Sequence, residues 1–374
     1  MSSRNLLALA VGSVALAAPA AASAAMAYIT TPRDTTVQGQ VMVANNDGSG
    51  ARAVASGEFA VISPDGTKVA YHDYGNFSQP PAPKIGVVDV ATGERVLLTG
   101  VECIGDLIWA PNSQLIACQT QSSNAKGFGD GSGIGLVSVP PSLAGLGGLE
   151  VKNYIPARGN AVDASVAFSP DSANIAFGWR RHSQNEVATS LYVAPVANAA
   201  ARRRVLARAT NPVWGAPGIA ASRQATVRFA LRAGGQSFPI ETVVPTQLWI
   251  VQPDGTGARR VTNFAWRARG FIEGLRAVAW SPEGTHIVGT AGSGSGRQQS
   301  SLATISASTG RVRILMRKTT VNPVTYSADG RRILVTTGFR GRPQNIRVVN
   351  VNGGAQQTLV VNAGTTSVSA GWNG

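Results

Sequence analysis

Acidic groups, histidine and cysteine are all scarce in this sequence, and each shortage narrows the chemistry open to it. Of 374 residues only 19 are Asp or Glu, three are His and two are Cys, and charged residues of both signs make up 14%. No CxxC or Cys/His spacing suggests a metal site, and no HExxH, GxSxG or Walker-type stretch is present. No long helical pattern follows the first 25 residues. No later apolar run reaches 18 residues, so no membrane span is expected. These shortages leave no catalytic residue, metal or cofactor to be named from the sequence.

What is present is turn chemistry and positive charge. There are 43 glycines and 20 prolines, beside 44% hydrophobic residues and a mean hydropathy of +0.05, enough apolar content for a folded core. The formal net charge is +14, unevenly spread. Residues 176–374 hold 24 Arg or Lys against 6 Asp or Glu, whereas residues 1–175 hold 9 against 13. A basic half attracts acidic partners over long range, and arginines also keep a glycine-rich surface soluble.

The amino terminus reads as an export signal. Arg4 precedes the apolar run Leu6 to Ala18, and small residues follow from Ala20 to Ala24. That order is a secretory signal peptide, with cleavage expected after Ala24 and Ala27 as the alternative. The expected organisation is therefore a signal peptide over 1–24 and one domain over 25–374, in a secreted or extracytoplasmic protein. In such a compartment Cys103 and Cys118, one on each arm of an expected hairpin, are candidates for a disulfide, with two buried thiols as the other reading.

The remainder is organised by one repeated stretch. Phe59 to Asp73, FAVISPDGTKVAYHD, reads as strand, tight turn and strand: Pro64 pre-sets φ, Asp65 bonds to nearby backbone and Gly66 accepts φ > 0. Degraded copies are WAPNS from Trp109, FSPDS from Phe168, WSPEG from Trp280 and YSADG from Tyr326, with a poorer one, PVWGAPG, around Trp214. The residue before each turn is Ile62, Trp109, Phe168, Trp214, Trp280, Tyr326 and finally Trp372. The intervals are 47, 59, 46, 66, 46 and 46, a period of 46 with two insertions. Each unit continues with a third strand, such as Lys84 to Val90, a Gly-containing turn and a fourth strand. Four strands in about 40 to 50 residues is a propeller blade. The expected fold is all-β, a β-propeller of four-stranded antiparallel blades. Seven blades are expected, with six as the alternative, and a composite blade from both termini closes the ring.

The pattern of aromatic, SPDG-like turn, β-rich strand and xDGxxxRxVT resembles the TolB-like propeller repeats, which are related to WD-repeat propellers. The resemblance covers nearly all of the expected mature chain, and it implies a fold more than an activity.

In such a propeller the first-to-second and third-to-fourth turns share one face. The second-to-third loops and the connections between blades share the other, and the insertions fall mostly there: Asp73 to Pro83, Gln121 to Gly133, Arg180 to Thr189, Ser222 to Thr246 and Gly292 to Ser300. Loop elaboration on one face of a rigid scaffold marks a binding surface. Candidate binding residues on that face are Tyr74, Phe77, Trp179, Arg180, Arg181, His182, Trp266, Arg267, Arg269, Arg297, Arg340 and Arg342, which mix aromatic planes with guanidinium forks. His72 and His182 follow second strands, whereas His286 lies at an opposite-face turn, so the three are not expected to meet. The glycine-rich Gly127 to Gly135 is expected to be a flexible loop.

Two functions are open on this reading. The first is a non-catalytic, monomeric scaffold presenting a basic, aromatic-containing loop face to a protein or an anionic cell-envelope polymer; nucleic acid fits the charge but has no accompanying motif. The alternative is a propeller-fold carbohydrate-active enzyme, a lyase or hydrolase, with its site in the central funnel.

Overall fold

A strand that carries apolar residues on both faces can be satisfied only between two other layers, and most second and third strands of each repeat are of this kind. The computed structural model describes residues 26–30, 39–75, 84–123, 129–157, 160–181, 189–233, 236–263, 275–293, 299–319, 321–338, 344–354, 356–364 and 371–372. Within them the chain is nearly all strand.

The strands come in sets of four. The first set contains β1 (Met26–Thr30), β2 (Gln40–Ala44) and β3 (Arg52–Ser56). The second is β4 (Glu58–Ile62), β5 (Lys68–Asp73), β6 (Lys84–Asp89) and β7 (Arg95–Gly100). The third is β8 (Cys103–Trp109), β9 (Leu115–Ser123), β10 (Gly129–Ser138) and β11 (Leu149–Ile155). Next come β12 (Asn160–Phe168), β13 (Asn174–Arg181), β14 (Ser190–Pro195) and β15 (Arg203–Leu206), then β16 (Ala209–Gly215), β17 (Gly218–Ala233), β18 (Gln236–Val251) and β19 (Arg259–Arg260). The last sets are β20 (Leu275–Trp280), β21 (His286–Ser293), β22 (Gln299–Ser306) and β23 (Val312–Thr319), and β24 (Val321–Tyr326), β25 (Arg332–Thr337), β26 (Gln344–Asn350) and β27 (Gln356–Gly364). Finally β28 (Gly371–Trp372) pairs antiparallel with β1, Met26 opposite Trp372, and completes the first set from the far end of the chain.

Among the described residues these strands form five four-stranded sheets and one sheet of eight. The eight-stranded sheet is the second and third sets joined edge to edge, by a short parallel pairing of Leu149 to Val151 with Leu98 to Gly100. The first strands of the sets touch in a closed circuit: β4 meets β8, then β12, β16, β20, β24 and β28 follow in turn, and β28 meets β4. The apolar core is divided in the same way, into clusters lying between neighbouring sets. One joins Ile62, Val69 and Val88 to Ile29 and Val41; another joins Leu334, Ile346 and Val348 to Met26 and Tyr28 across the chain ends.

The turns of the repeat hold the sets in register. In Ser63 to Gly66 the Asp65 carboxylate accepts from the Ser63 hydroxyl at 2.6 Å and the Thr67 N–H at 3.0 Å, while Gly66 takes φ +71°. Asp171 and Asp329 repeat this, and the Ser169 and Ser327 hydroxyls hold their carboxyls below the usual carboxylate range. Burial pushes Asp65 up, but the Ser63 and Thr67 hydrogen bonds outweigh it and the net shift is downward. Where the repeat has Ser in place of Gly, Ser113 and Ser172 still adopt φ +58° and +61°, a conformation costing an L-residue about 1–2 kcal/mol. Each recovers a bond to the preceding set: Ser113 Oγ accepts from the Asp65 N–H at 3.0 Å, and Ser172 Oγ from the Asn112 N–H at 3.1 Å. The aromatic column does the same work one step earlier. The Trp109 indole donates to the Val61 carbonyl at 3.0 Å, and that of Trp280 to Val213 at 3.1 Å.

Two expected loops are instead strand. The insertion Ser222 to Thr246 extends β17 and β18 into a hairpin of 16 residues on each arm, paired out to Ala233 opposite Gln236. Its second arm is rich in β-branched residues, and Gly234-Gly235 separates the arms in sequence, a hairpin signal that the 46-residue period hides. The glycine-rich stretch also fails as a flexible loop, since Gly129 to Gly135 belongs to β10. Its glycines fall at every second position. A methyl group on Gly133 would lie 2.1 Å from the Ile155 carbonyl oxygen, so that face of β10 must be bare for backbone to approach.

Cys103 on β8 and Cys118 on β9 are joined in a disulfide, with Cα atoms 5.6 Å apart. A bulge between Ile104 and Leu107 sets the register of that hairpin, and both cysteines are buried. The bridge closes a loop of 15 residues, for which chain-entropy reasoning gives about 3 kcal/mol. The paired substitution Cys103→Ala/Cys118→Ala is expected to lower stability by about that amount, read as a lower urea midpoint. A midpoint equal to that of the native protein would show that the bridge adds nothing.

Candidate functional site

Every first strand from β4 to β24 is irregular, and always near the same place. The ladder shifts register between Glu58 and Val61, Ile104 and Leu107, Val162 and Val166, Thr210 and Val213, Ala277 and Ala279, and Pro323 and Thr325. A bulge adds one residue, bends the strand and re-aims a side chain. Phe59 and Asn211 take φ +54° and +51° there, and Gly105 takes +70°. Counted from the aromatic column, the third residue before it falls in the irregular stretch in four strands, at Phe59, Asp106, Ser165 and Asn211, and in β20 and β24 the extra residue is the second before it, Val278 and Val324.

Three of these first strands bring polar side chains into contact. The Ser165 hydroxyl on β12 donates to Asn211 Oδ1 on β16 at 3.0 Å, and Arg276 Nη2 on β20 donates to Ser165 Oγ at 3.3 Å. Ser165 and Arg276 are 111 residues apart in sequence and meet only because the first strands line one circuit. Arg276 is exposed. A guanidinium carries five N–H donors in a fixed fork suited to a carboxylate or phosphate, and the bond to Ser165 uses one of them.

A second cluster is formed by β4, β5 and β8. His72 is 2% exposed, with the Phe59 ring centroid 5.3 Å away and the Tyr74 ring stacked at 6.1 Å. Burial lowers its pKa, against the smaller opposing influence of the Gly105 backbone and the Asp106 charge. Neither ring nitrogen has a hydrogen-bond partner. His72 is therefore neutral at neutral pH. Asp73 is not its base, because its carboxylate accepts from the Gly75 N–H at 2.9 Å and closes a turn.

The other residues expected from the sequence divide into two groups. Trp179 is 9% exposed and packs between sets: Tyr192 meets it edge-on at 5.0 Å, the Arg202 guanidinium lies 4.7 Å from its ring centroid, and its indole N–H donates to Asn160. Arg202 thus stacks on an aromatic ring. Tyr74 and Arg180 are half-buried. Arg181 ends β13, but its side chain lies outside the described residues, as do Phe77, His182, Trp266, Arg267, Arg269, Arg297, Arg340 and Arg342. The residues that sequence reasoning missed are Ser165, Asn211 and Arg276. The signal was available in the bulge column three residues before the aromatic, where Ser165 and Asn211 stand and Arg276 adjoins. Among the described residues no group of three His, Cys, Asp or Glu could hold a metal ion, and no helix is long and apolar enough to cross a membrane.

A closed circuit of antiparallel four-stranded sets defines a β-propeller. Within that class the fold is TolB-like. TolB from Acinetobacter baumannii superposes with a TM-score of 0.53 at 16% identity, over 95% of this chain and 68% of that one. The β-propeller domain of the Trilobed protease from Pyrococcus furiosus gives 0.59 at 11% identity, over 91% and 95%. An oligogalacturonate lyase from Vibrio parahaemolyticus gives 0.56 at 12%, over 84% and 83%. At these identities the likeness is one of fold. No protein-family profile and no curated protein matches the chain.

The buried histidine makes stability depend on pH. Unfolded, His72 titrates near its ordinary value of 6.5, and folded it titrates lower. Between the two values only the unfolded chain binds the proton, so stability falls as pH drops below about 6.5 and levels off beneath the folded pKa. His72→Phe, which keeps a ring between Phe59 and Tyr74, is expected to remove this part of the slope in urea midpoints measured from about pH 8 to about pH 5. An unchanged slope would mean that His72 takes up its proton in the folded protein.

Proposed function

We propose that this chain is an exported, seven-bladed, non-catalytic propeller that binds an acidic segment of a protein or an anionic envelope polymer at the mouth of its central circuit. On this reading residues 1–24 are the signal peptide and 25–374 the working domain, acting outside the cytoplasm as a monomer. The carrying observation is the contact of Ser165, Asn211 and Arg276, three polar side chains from consecutive first strands with an exposed guanidinium at the end of the chain of hydrogen bonds. Ser165, itself bonded to Asn211, orients Arg276 and reduces the side-chain entropy lost when an anion binds. The excess of 24 basic over 6 acidic residues in 176–374 supports the same partner chemistry, since it steers acidic polymers toward the molecule.

The mechanism is multipoint recognition by a rigid frame. Bulges aim the side chains, the circuit of sets fixes their spacing, and long-range charge raises the encounter rate. Loop arginines, including Arg340 and Arg342, would add contacts around the central one.

Retention of the purified protein on envelope protein and polymer fractions across a salt series tests this. Retention is expected at low salt and should decline steadily as salt rises. Arg276→Ala should weaken it about tenfold or more, as loss of a charge-assisted hydrogen bond does. Arg276→Lys should recover only part, because an ammonium lacks the planar fork. Arg276→Ala retention equal to that of the native protein, or retention indifferent to salt, would overturn the reading.

A further inference from the structure

The face that carries the short turns holds a groove away from the first-strand contacts, between the set β20–β23 and the set β24–β27. It encloses about 550 Å³. Its inner end, at the first strands, is formed by Glu283, His286 and Tyr326; its outer end, at the fourth strand and the turn beside it, by Arg311, Arg313 and Asn352.

The repeat provides internal controls for this place. Tyr326 stands in the aromatic column, where Trp109 and Trp280 satisfy their indole N–H groups on the preceding set and where Ile62 and Phe168 have no polar atom to satisfy. Tyr326 is only 5% exposed, and its hydroxyl is buried without a hydrogen-bond partner. A buried hydroxyl left unbonded is costly and rare. Burial, reinforced by the nearby Glu283 charge, pushes its pKa up, so the hydroxyl stays protonated and is an unused donor on a residue that lines the groove.

The two ends of the groove differ in charge. Burial raises the Glu283 pKa, but hydrogen bonds from Thr285 and Ser281 and the proximity of His286 outweigh it, so the carboxylate is ionised. The Thr285 hydroxyl donates to Glu283 Oε1 at 2.7 Å, and His286 Nδ1 lies 3.8 Å from the same oxygen. At the outer end Arg313 Nη2 donates to the Asn352 carbonyl, which fixes its guanidinium against the neighbouring set. A ligand with a single charge would match one end only. First and fourth strands are three spacings of about 4.8 Å apart. Less the reach of an arginine side chain, that leaves a gap spanned by two or three extended residues at about 3.4 Å each.

We propose that this groove binds a short zwitterionic peptide of two or three residues, with its ammonium against Glu283, its carboxylate against Arg311 and Arg313, and a backbone carbonyl accepting from the Tyr326 hydroxyl. The site shares no residue with the first-strand cluster, so its failure and that of the scaffold reading are separate results.

Calorimetric titration of the full chain with Ala-Ala-Ala, N-acetyl-Ala-Ala-Ala and Ala-Ala-Ala-amide tests the proposal, with thermal melts confirming that each variant is folded. Native protein should bind the free tripeptide and lose about tenfold in affinity on either blocking. Glu283→Gln should bind the free and acetylated peptides equally, and the double variant Arg311→Gln/Arg313→Gln the free and amidated ones, since each has already lost the matching charge. Tyr326→Phe should weaken all three ligands about threefold to tenfold, whereas Arg276→Ala should leave them unchanged. Absence of binding to the native protein at millimolar tripeptide would overturn the proposal. So would a folded Tyr326→Phe protein that binds as the native one does. If Tyr326→Phe does not fold, the coupling between Glu283→Gln and acetylation decides alone, and its absence overturns the proposal.

Discussion

The bond from one set's turn or aromatic residue to the set before it is the contact on which the rest depends. A four-stranded antiparallel sheet with two apolar faces has no stable existence in water and must stack on both sides. Apolar packing alone is indifferent to the rotation of one sheet on the next. The indole of Trp109 on the Val61 carbonyl, and Ser113 on the Asp65 amide, remove that freedom at the inner rim, where a small angular error would accumulate round the circuit. The left-handed backbone of Ser113 and Ser172 shows what this contact is worth. A glycine would adopt that conformation without strain, but it has no oxygen to offer the preceding turn.

Fixing the angle also fixes the first strands as a concentric wall, and this is what brings chemistry together. Ser165, Asn211 and Arg276 come from segments with no common motif, and a straight array of the same repeats would leave them apart. The groove with Tyr326, Glu283 and Arg313 arises by the other available route, from the gap between two adjacent sets. One arrangement draws on three sets and the other on two, and they share no residue, so substitutions in one should leave the other intact.

Much of the architecture could be read from the sequence because it is written in local chemistry that recurs. Pro64, Asp65 and Gly66 dictate a turn wherever they stand, and the aromatic before them marks the strand that precedes it. The strands of the first set, β1 and β2, and the partner role of Trp372 at the other end follow from that phase alone. The two misread stretches break the phase. Against a fixed period Ser222 to Thr246 is only excess length, which conceals a hairpin of its own paired out to Ala233 and Gln236. The composition of Gly127 to Gly135 suggests a loop and conceals the alternation that makes Gly129 to Gly135 a strand packed against backbone. The polar cluster is legible only in part: its place just before the aromatic column marks the residues, but their hydrogen bonds over 46 and 111 positions depend on curvature, which no local pattern encodes. Trp179 illustrates the converse. An aromatic beside arginines looks like a surface for ligands, yet the arginine that covers it is Arg202, from the far side of its own set.

The parallel pairing of β7 with β11 sets one sector of the molecule apart. Elsewhere neighbouring sets are held by interdigitated side chains and a few bonds at the rim, contacts that can slide or part slightly without breaking a ladder. Between the second and third sets the outer edges are also laced by backbone hydrogen bonds, and the disulfide of Cys103 and Cys118 lies in the same sector. There the bonds of Trp109 and Ser113 tie the third set to the second and the β7–β11 ladder ties their edges, while the disulfide stiffens the third set itself. Parting the second set from the third therefore means breaking backbone bonds as well as separating side chains, and this is the seam at which the circuit is hardest to open.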